Sequence, residues 1–351
     1  MTIQTKNRDY ALDFLKILAT IIIVLHHYER AFGVQYEHFY FGDDRYYFGY
    51  VVELFFIISG YFTFSSIKKI QDGLTYDRFI SARALRLLPV AAISTAVYSL
   101  AYLIVGRGQN FHLWKVLLTC VGMQVGGPFY EMFTNSHLWY VSVLLICYAV
   151  FFIAIRLSQR FRINWRYACF FVILVGASAC AKAYDLPFLN PNVGRGYMAF
   201  FTGIFLAAAL REHELKRWGV LCCLAVVVIG SVILVFFFEW AEYGLNYLCT
   251  FFYFPAMVVV AESRPVQKVL RWPFLGTLGQ ISFNVYVWHF EINTFSYAVN
   301  KYLDLGINFE SRLAEFCMLL VTFIVGTASY YLLERPISKW IRKIQAERAS
   351  T

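Results

Sequence analysis

Apolar runs recur along the whole chain, separated by short segments that carry most of its charge. Ile17–Leu25, Val220–Phe238 and Phe316–Val325 are typical. Each lies within a segment of the roughly 20 residues that cross a bilayer as a helix. Division at the charged breaks predicts ten membrane-spanning helices, at 11–32, 47–67, 84–106, 137–156, 167–184, 196–211, 217–238, 245–262, 279–299 and 313–333. The expected fold is therefore all-α, a polytopic transmembrane bundle in which residues 1–351 form one domain. Leu113–Val125 is apolar but short, and counting it as a span would break the alternation. It is placed as a re-entrant or interfacial piece of the external loop 107–136. The first run is expected to be retained: Lys16 lies inside it, two histidines close it, and no small-x-small cleavage motif follows.

Composition agrees, with 60% hydrophobic and 15% charged residues, against about half and about a quarter in soluble domains. The net charge of +9 would suit a nucleic-acid binder, but its distribution follows the apolar runs instead. Of 31 lysines and arginines, 22 fall in the segments on the side of both termini, 8 in the alternate ones, and Lys16 within the first span. Cationic loops resist translocation, so both termini are predicted to be cytoplasmic, and lipid rather than nucleic acid is the expected surrounding. The external segments also carry Glu29, Glu37, Asp43, Asp44, Glu239 and Glu242. The eight cysteines sit mostly in apolar runs and show neither a disulfide framework nor zinc spacing. No metal-ligand cluster is expected.

Ionisable residues at membrane depth cost roughly 2.5–3.5 kcal/mol each on insertion scales, and the chain carries several. In the first span, Lys16 and His27 differ by about 20° around the helix, with Asp13 and Thr20 within about 40° of the same line. The four form a stripe that must face the bundle interior, with His27 about 16 Å outward of Lys16. The alternative account of the stripe is interhelical hydrogen bonding with a snorkelling lysine. Glu53 lies about 9 Å below the outer surface, near the depth of His27. A carboxylate there is placed to accept an imidazole N–H and raise the basicity of the opposite nitrogen; a purely structural carboxyl fits as well. Ser59-Gly60 reads as close helix packing. Arg83 and Arg86 share a helix face at the cytoplasmic surface, where they serve as topology anchors or bind phosphate. Ser282, Tyr286, His289 and Asn293 follow the 0, 4, 7, 11 spacing of one helix face. His137-Leu-Trp139-Tyr140 suits an aromatic belt at the outer interface.

These segments together resemble the acyltransferase 3 family of bacterial membrane proteins. The resemblance rests on Lys16-x10-His27, Glu53-Leu-Phe-Phe-Ile-Ile-Ser-Gly60, Arg83-x-x-Arg86-x-x-Pro89, His137-Leu-Trp139-Tyr140, Ser282-Phe-Asn-Val-Tyr286-Val-Trp-His289 and Glu334-Arg-Pro336, in that order. It implies transfer of an acyl group, commonly acetyl, from acyl-CoA to a hydroxyl of a surface glycan or its lipid-linked precursor, in the bacterial plasma membrane. It implies no permanently bound cofactor, with acetyl-CoA as co-substrate. On that reading Lys16, Arg83 and Arg86 hold the donor. His27, oriented by Glu53, deprotonates the acceptor or carries the acyl group. Tyr286, His289 and His137 contact the acceptor or relay protons. Only 18 residues follow the last span, so a stand-alone member is expected. The spans alone fit a proton-coupled carrier or flippase of a polar or lipid-linked solute almost as well.

Overall fold

A computed structural model describes residues 8–36, 39–43, 48–104, 112–125, 135–236 and 244–350, with 342 and 345–350 described by backbone alone. Lys6, Glu37, Asp44, Arg45, Arg107, Glu239, Glu242 and parts of the loop 107–136 lie outside the described residues. The first half of the chain folds into α1 (Tyr10–Phe32), α2 (Val52–Thr63), α3 (Ser66–Gln71), α4 (Tyr76–Ile104), α5 (Leu113–Cys120), α6 (Trp139–Arg160) and α7 (Trp165–Lys182). The second half gives α8 (Pro191–Glu212), α9 (Arg217–Phe236), α10 (Leu245–Leu248), α11 (Phe254–Glu262), α12 (Arg264–Val269), α13 (Pro273–Leu303), α14 (Arg312–Ser329) and α15 (Arg335–Ser350). No strand occurs among the described residues. The fold is the all-α polytopic bundle that the sequence predicts.

Eight helical segments among the described residues are long and apolar enough to cross a membrane. The second and ninth of the ten expected spans are not among them. Phe48–Thr63 is apolar but short, and α13 is 31 residues long and buries Ser282, Asn284, Tyr286, His289, Glu291 and Asn293. Both lie inside the bundle, where contact with protein relaxes the demand for a fully apolar surface. α9 is the opposite case, with no buried residue and a surface of Val, Leu, Ile and Phe suited to lipid. α5, at 8 residues, rises only about 12 Å and is too short to span. α4 begins at Tyr76, so Arg83 and Arg86 stand on its early turns.

Two π turns, Cys249–Tyr253 and Tyr330–Glu334, each end two residues before a proline, Pro255 and Pro336. Proline lacks the N–H that the tighter helix needs, and its ring crowds the carbonyl four residues back; a widened turn absorbs both.

α1 packs along α13, which also meets α4 and α14, while α8 is held between α2 and α7. The α2–α8 crossing brings two backbones together. A Cβ on Gly60 would stand 1.9 Å from the Phe200 carbonyl oxygen, and one on Gly203 2.0 Å from that of Ile57. Close approach of this kind drives helix association in lipid, where apolar burial favours no particular partner. The same pair of helices carries an ion pair: Arg195 on α8 donates to both oxygens of the fully buried Glu53, from Nε at 2.6 Å and from Nη2 at 3.0 Å. We expect Gly60→Ala to cost about 1–3 kcal/mol by overpacking. Arg195→Met should cost about 3–5 kcal/mol by stranding a buried carboxylate. The double variant Glu53→Leu/Arg195→Met should recover most of the second loss. Thermal unfolding in detergent measures all three, and equal losses for the single and double variants would refute the coupling.

Candidate functional site

The site is built on the polar faces of α1 and α13. α1 starts where Asp9 caps it by accepting from the Leu12 N–H at 2.9 Å, and it stops at Gly33, whose φ of 66° turns the chain out of the helix. Asp13, one turn in, accepts from Arg8 at 2.6 Å and from Lys16 at 2.8 Å, so the buried carboxylate is flanked by two cations. Thr20 returns its hydroxyl to the Lys16 carbonyl. The two histidines near the far end of α1 separate as their 100° offset requires. The His26 Nδ1 lies 2.6 Å from the Phe41 carbonyl oxygen, whereas His27 faces α13 with its ring 5.1 Å from that of His289.

At the Lys16 end lies a cavity of about 360 Å³ lined by Lys16, Ser59, Arg83, Arg86, Tyr148 and Tyr286, among others. Its two arginines differ in their engagements. Arg83 donates to the Phe79 carbonyl at 2.8 Å and to Ser66 at 3.2 Å, and its guanidinium stacks 3.6 Å from the Phe79 ring centre. Arg86 stays largely exposed and pairs with Glu334 at 3.3 Å. Glu334 in turn accepts from Asn284 at 2.5 Å, and Asn284 accepts from Ser329 at 2.8 Å. The π turn before Pro336 thus ends in the carboxylate that orients Arg86, a task the Glu334-Arg-Pro336 motif did not reveal by itself.

Deeper along α13 three imidazoles meet. The rings of His137 and His289 are 4.7 Å apart, and His27 completes the group. Backbone carbonyls settle which nitrogens carry hydrogen. The His289 Nδ1 abuts the Tyr286 carbonyl oxygen, and the His137 Nε2 lies 3.0 Å from that of Val287. A carbonyl only accepts, so each of these nitrogens donates. In the neutral rings the His289 Nε2 and the His137 Nδ1 then keep their lone pairs, and neither has a hydrogen-bond partner among the described residues. Tyr286 closes the group by donating its hydroxyl to the His137 carbonyl. His137 therefore stands at the centre of the site instead of in an outer aromatic belt.

His137 owes its position to a clamp that sequence reasoning missed. It sits in a 3₁₀ turn, Ser136–Leu138, entered through Asn135 at φ 64°. Asn135 donates to Glu291 on α13 at 2.7 Å, Ser94 on α4 donates to the same oxygen, and Gln124 donates to the Asn135 carbonyl at 2.9 Å. Glu291 lies off the 0, 4, 7, 11 face of α13, and its one sequence signal was a carboxylate between Phe290 and Ile292 at membrane depth.

The expected partnership of Glu53 with His27 is not formed. Glu53 is fully buried, as its setting implied, but both of its oxygens belong to Arg195. A guanidinium matches a carboxylate through two parallel bonds and a full charge, which a neutral imidazole cannot equal. Of the sequence candidates, the structure gathers Lys16, Arg83, Arg86 and Tyr286 around one cavity, groups His27, His137 and His289 beyond it, and leaves Glu53 outside both. Among the described residues no group of His, Cys, Asp or Glu is arranged to hold a metal ion.

Because Glu291 bonds Asn135 and not a histidine, its removal should displace His137 without altering any imidazole. We expect Glu291→Ala to lower turnover at least tenfold, and Glu291→Gln, which keeps an accepting oxygen, to restore most of it. Steady-state kinetics on purified variants of matched stability measure this. Equal defects in the two variants would show that the charge, and not the clamp, matters.

The sequence pattern of an acyltransferase domain family matches residues 9–332. The chain is 23% identical over 312 residues to the exopolysaccharide production protein ExoZ of Rhizobium meliloti (strain 1021), covering 85% of this chain and 91% of that one. It is 26% identical over 362 residues to BcsY of Komagataeibacter xylinus, provisionally named a membrane-bound transacylase, covering 94% and 83%. It is 25% identical over 365 residues to a Staphylococcus aureus (strain COL) protein provisionally named an O-acetyltransferase, covering 93% of this chain and 57% of that one. No solved structure matches. The carrier reading that the spans alone allowed gives way to this match. With the family pattern running from the start of α1 to the π turn before α15, the chain belongs to the acyltransferase 3 family and is a multi-pass membrane enzyme that transfers acyl groups.

Proposed function

We propose that this enzyme moves an acetyl group from acetyl-CoA to a hydroxyl of a cell-envelope glycan or its lipid-linked precursor, in the bacterial plasma membrane with both termini in the cytoplasm. The observation that carries the reading is the placement of three imidazoles, two with bare nitrogens, beyond the end of a basic cavity. The anionic end of CoA is matched by Lys16, Arg83 and Arg86, since forked guanidiniums suit phosphate oxygens. The uncharged pantetheine arm is the part of the donor that can thread the roughly 16 Å between Lys16 and His27. The names of ExoZ, a polysaccharide production protein, and of the staphylococcal O-acetyltransferase support the acceptor and the group transferred.

In the reaction His27 takes the proton of the acceptor hydroxyl as its oxygen attacks the thioester carbonyl. The tetrahedral intermediate collapses with the new C–O bond kept and the C–S bond broken, and the proton on His27 passes to the departing thiolate. His289, whose tautomer leaves Nε2 free, takes the supporting role expected of Glu53: its ring is adjacent to His27 and its bare nitrogen is suited to share the transferred proton. His137 supports His289 in the same way. Tyr286 lines the donor cavity and holds His137 through its carbonyl, which makes it a positioning residue.

Purified protein in nanodiscs with acetyl-CoA and a membrane acceptor fraction tests this. His27→Ala should lower turnover about 10²–10⁴-fold, the usual cost of losing a general base. His26→Ala should cost far less, since its ring serves the Phe41 carbonyl. An inactive His26→Ala beside an active His27→Ala would overturn the assignment. Arg86→Gln should raise the KM for acetyl-CoA about 10–150-fold, the equivalent of a charge-assisted bond of about 1.5–3 kcal/mol. Arg83→Gln should raise the same KM and also lower the melting temperature, because its guanidinium bonds Phe79 and Ser66 as well. An unchanged KM in folded Arg86→Gln would refute the donor site.

A further inference from the structure

A second cavity, of about 520 Å³, lies at the other end of the bundle among α1, α4 and α13, lined by Ala31, Phe32, Tyr98, Tyr102, Phe290, Asn293, Thr294 and Tyr297. We propose that it is the seat of the acceptor and takes a neutral sugar ring, its reacting hydroxyl reaching His27 past the edge of Phe290. The proposal rests on the acyl-transfer reading above and names the part of the acceptor that reaches the chemistry.

Four observations carry it. Phe290 is shared between the cavity and the histidines: its ring meets that of His27 edge-on at 5.5 Å and stacks on that of His137 at 4.9 Å. Phe290 is therefore the wall that the cavity shares with the histidines, and a sugar hydroxyl at its edge reaches toward His27. The walls are aromatic, with Tyr98 and Tyr102 stacked one turn apart on α4 at 6.0 Å and Phe32 on α1. Asn293 is 6% exposed, lines the cavity, and has an amide nitrogen with no partner among the described residues. No Lys, Arg, Asp or Glu lines the cavity among the described residues.

These features select among ligands. A hydrocarbon tail would fill the aromatic walls and leave the Asn293 amide buried and unpaired, which costs free energy. An anionic sugar or a phosphate would lose its water without gaining a cation. A neutral pyranose satisfies both demands, because its C–H faces lie against aromatic rings while its hydroxyls at the rim accept from Asn293 and donate to Thr294. The volume falls in the range of small-molecule sites. Among the described residues the two cavities are thus opposite in character: basic around the donor, uncharged around the acceptor.

The test uses the full chain in nanodiscs with radiolabelled acetyl-CoA and two soluble probes, methyl β-D-glucopyranoside and its anionic counterpart methyl β-D-glucuronide. We expect labelling of the glucoside with a kcat/KM at least tenfold above that of the glucuronide. Asn293→Ala and Tyr98→Ala should each raise the glucoside KM about tenfold, as expected for losing one hydrogen bond or one ring contact. Neither should move the KM for acetyl-CoA by more than about twofold. Phe295→Ala, on the outward face of α13, should leave both constants unchanged. Equal use of the two probes, or an unchanged glucoside KM in both cavity variants, overturns the proposal. Release of CoA onto a membrane acceptor without labelling of either probe also overturns it, while leaving acyl transfer intact. No CoA release from wild-type protein with any acceptor would instead sink the acyl-transfer reading itself.

Discussion

A polar atom buried in a helical membrane bundle must find its partner inside the protein, since hydrocarbon offers neither donor nor acceptor. α13 concentrates that demand. It buries Asn284, His289 and Glu291 on more than one of its sides, and each is met by a group from a different helix or turn: Glu334 and Ser329 at Asn284, His137 and His27 at His289, Ser94 and Asn135 at Glu291. In lipid, apolar surface does not discriminate between neighbours, so these directional bonds and the glycine contacts of α2 with α8 choose the arrangement. The polar residues of the site are thereby also the residues that assemble the bundle around it.

That double role shapes the chemistry. Helical carbonyls of α13 accept from His289 and His137 with lone pairs that the helix leaves available. Each bond fixes a tautomer and so fixes which nitrogen is left basic. A histidine held by a side chain would move with that side chain; one held by the main chain of a packed helix is as rigid as the helix. Preorganisation of this kind lowers the cost of reaching a reactive geometry.

Departures from regular helix serve the same end. The π turn at Tyr330–Glu334 shifts the register ahead of Pro336 so that Glu334 reaches both Arg86 and Asn284. The left-handed conformation at Asn135 starts the tight turn that delivers His137 into the middle of the bundle. An unbroken helix through either point would carry its side chain past the site.

The apolar periodicity, the position of the charged breaks and the Lys16–His27 stripe were determined by the sequence alone, because hydropathy and the 100° step per residue are local properties that need no knowledge of neighbours. Burial of Glu53 was legible in the same way, from its depth in an apolar run. Its partner was not. Arg195 lies 142 positions away, and its guanidinium won the carboxylate that His27 was expected to hold. The sequence left the place of His137 open, since its neighbours Trp139 and Tyr140 suit an aromatic belt while its motif suggested contact with the acceptor. Only the meeting of the Ser136–Leu138 turn with α13, and the Glu291–Asn135 bond that fixes it, put His137 beside His289. Which residues must be buried and paired follows from composition along one helix; which groups pair, and which nitrogen stays bare, is decided when helices distant in sequence compete for the same few polar atoms.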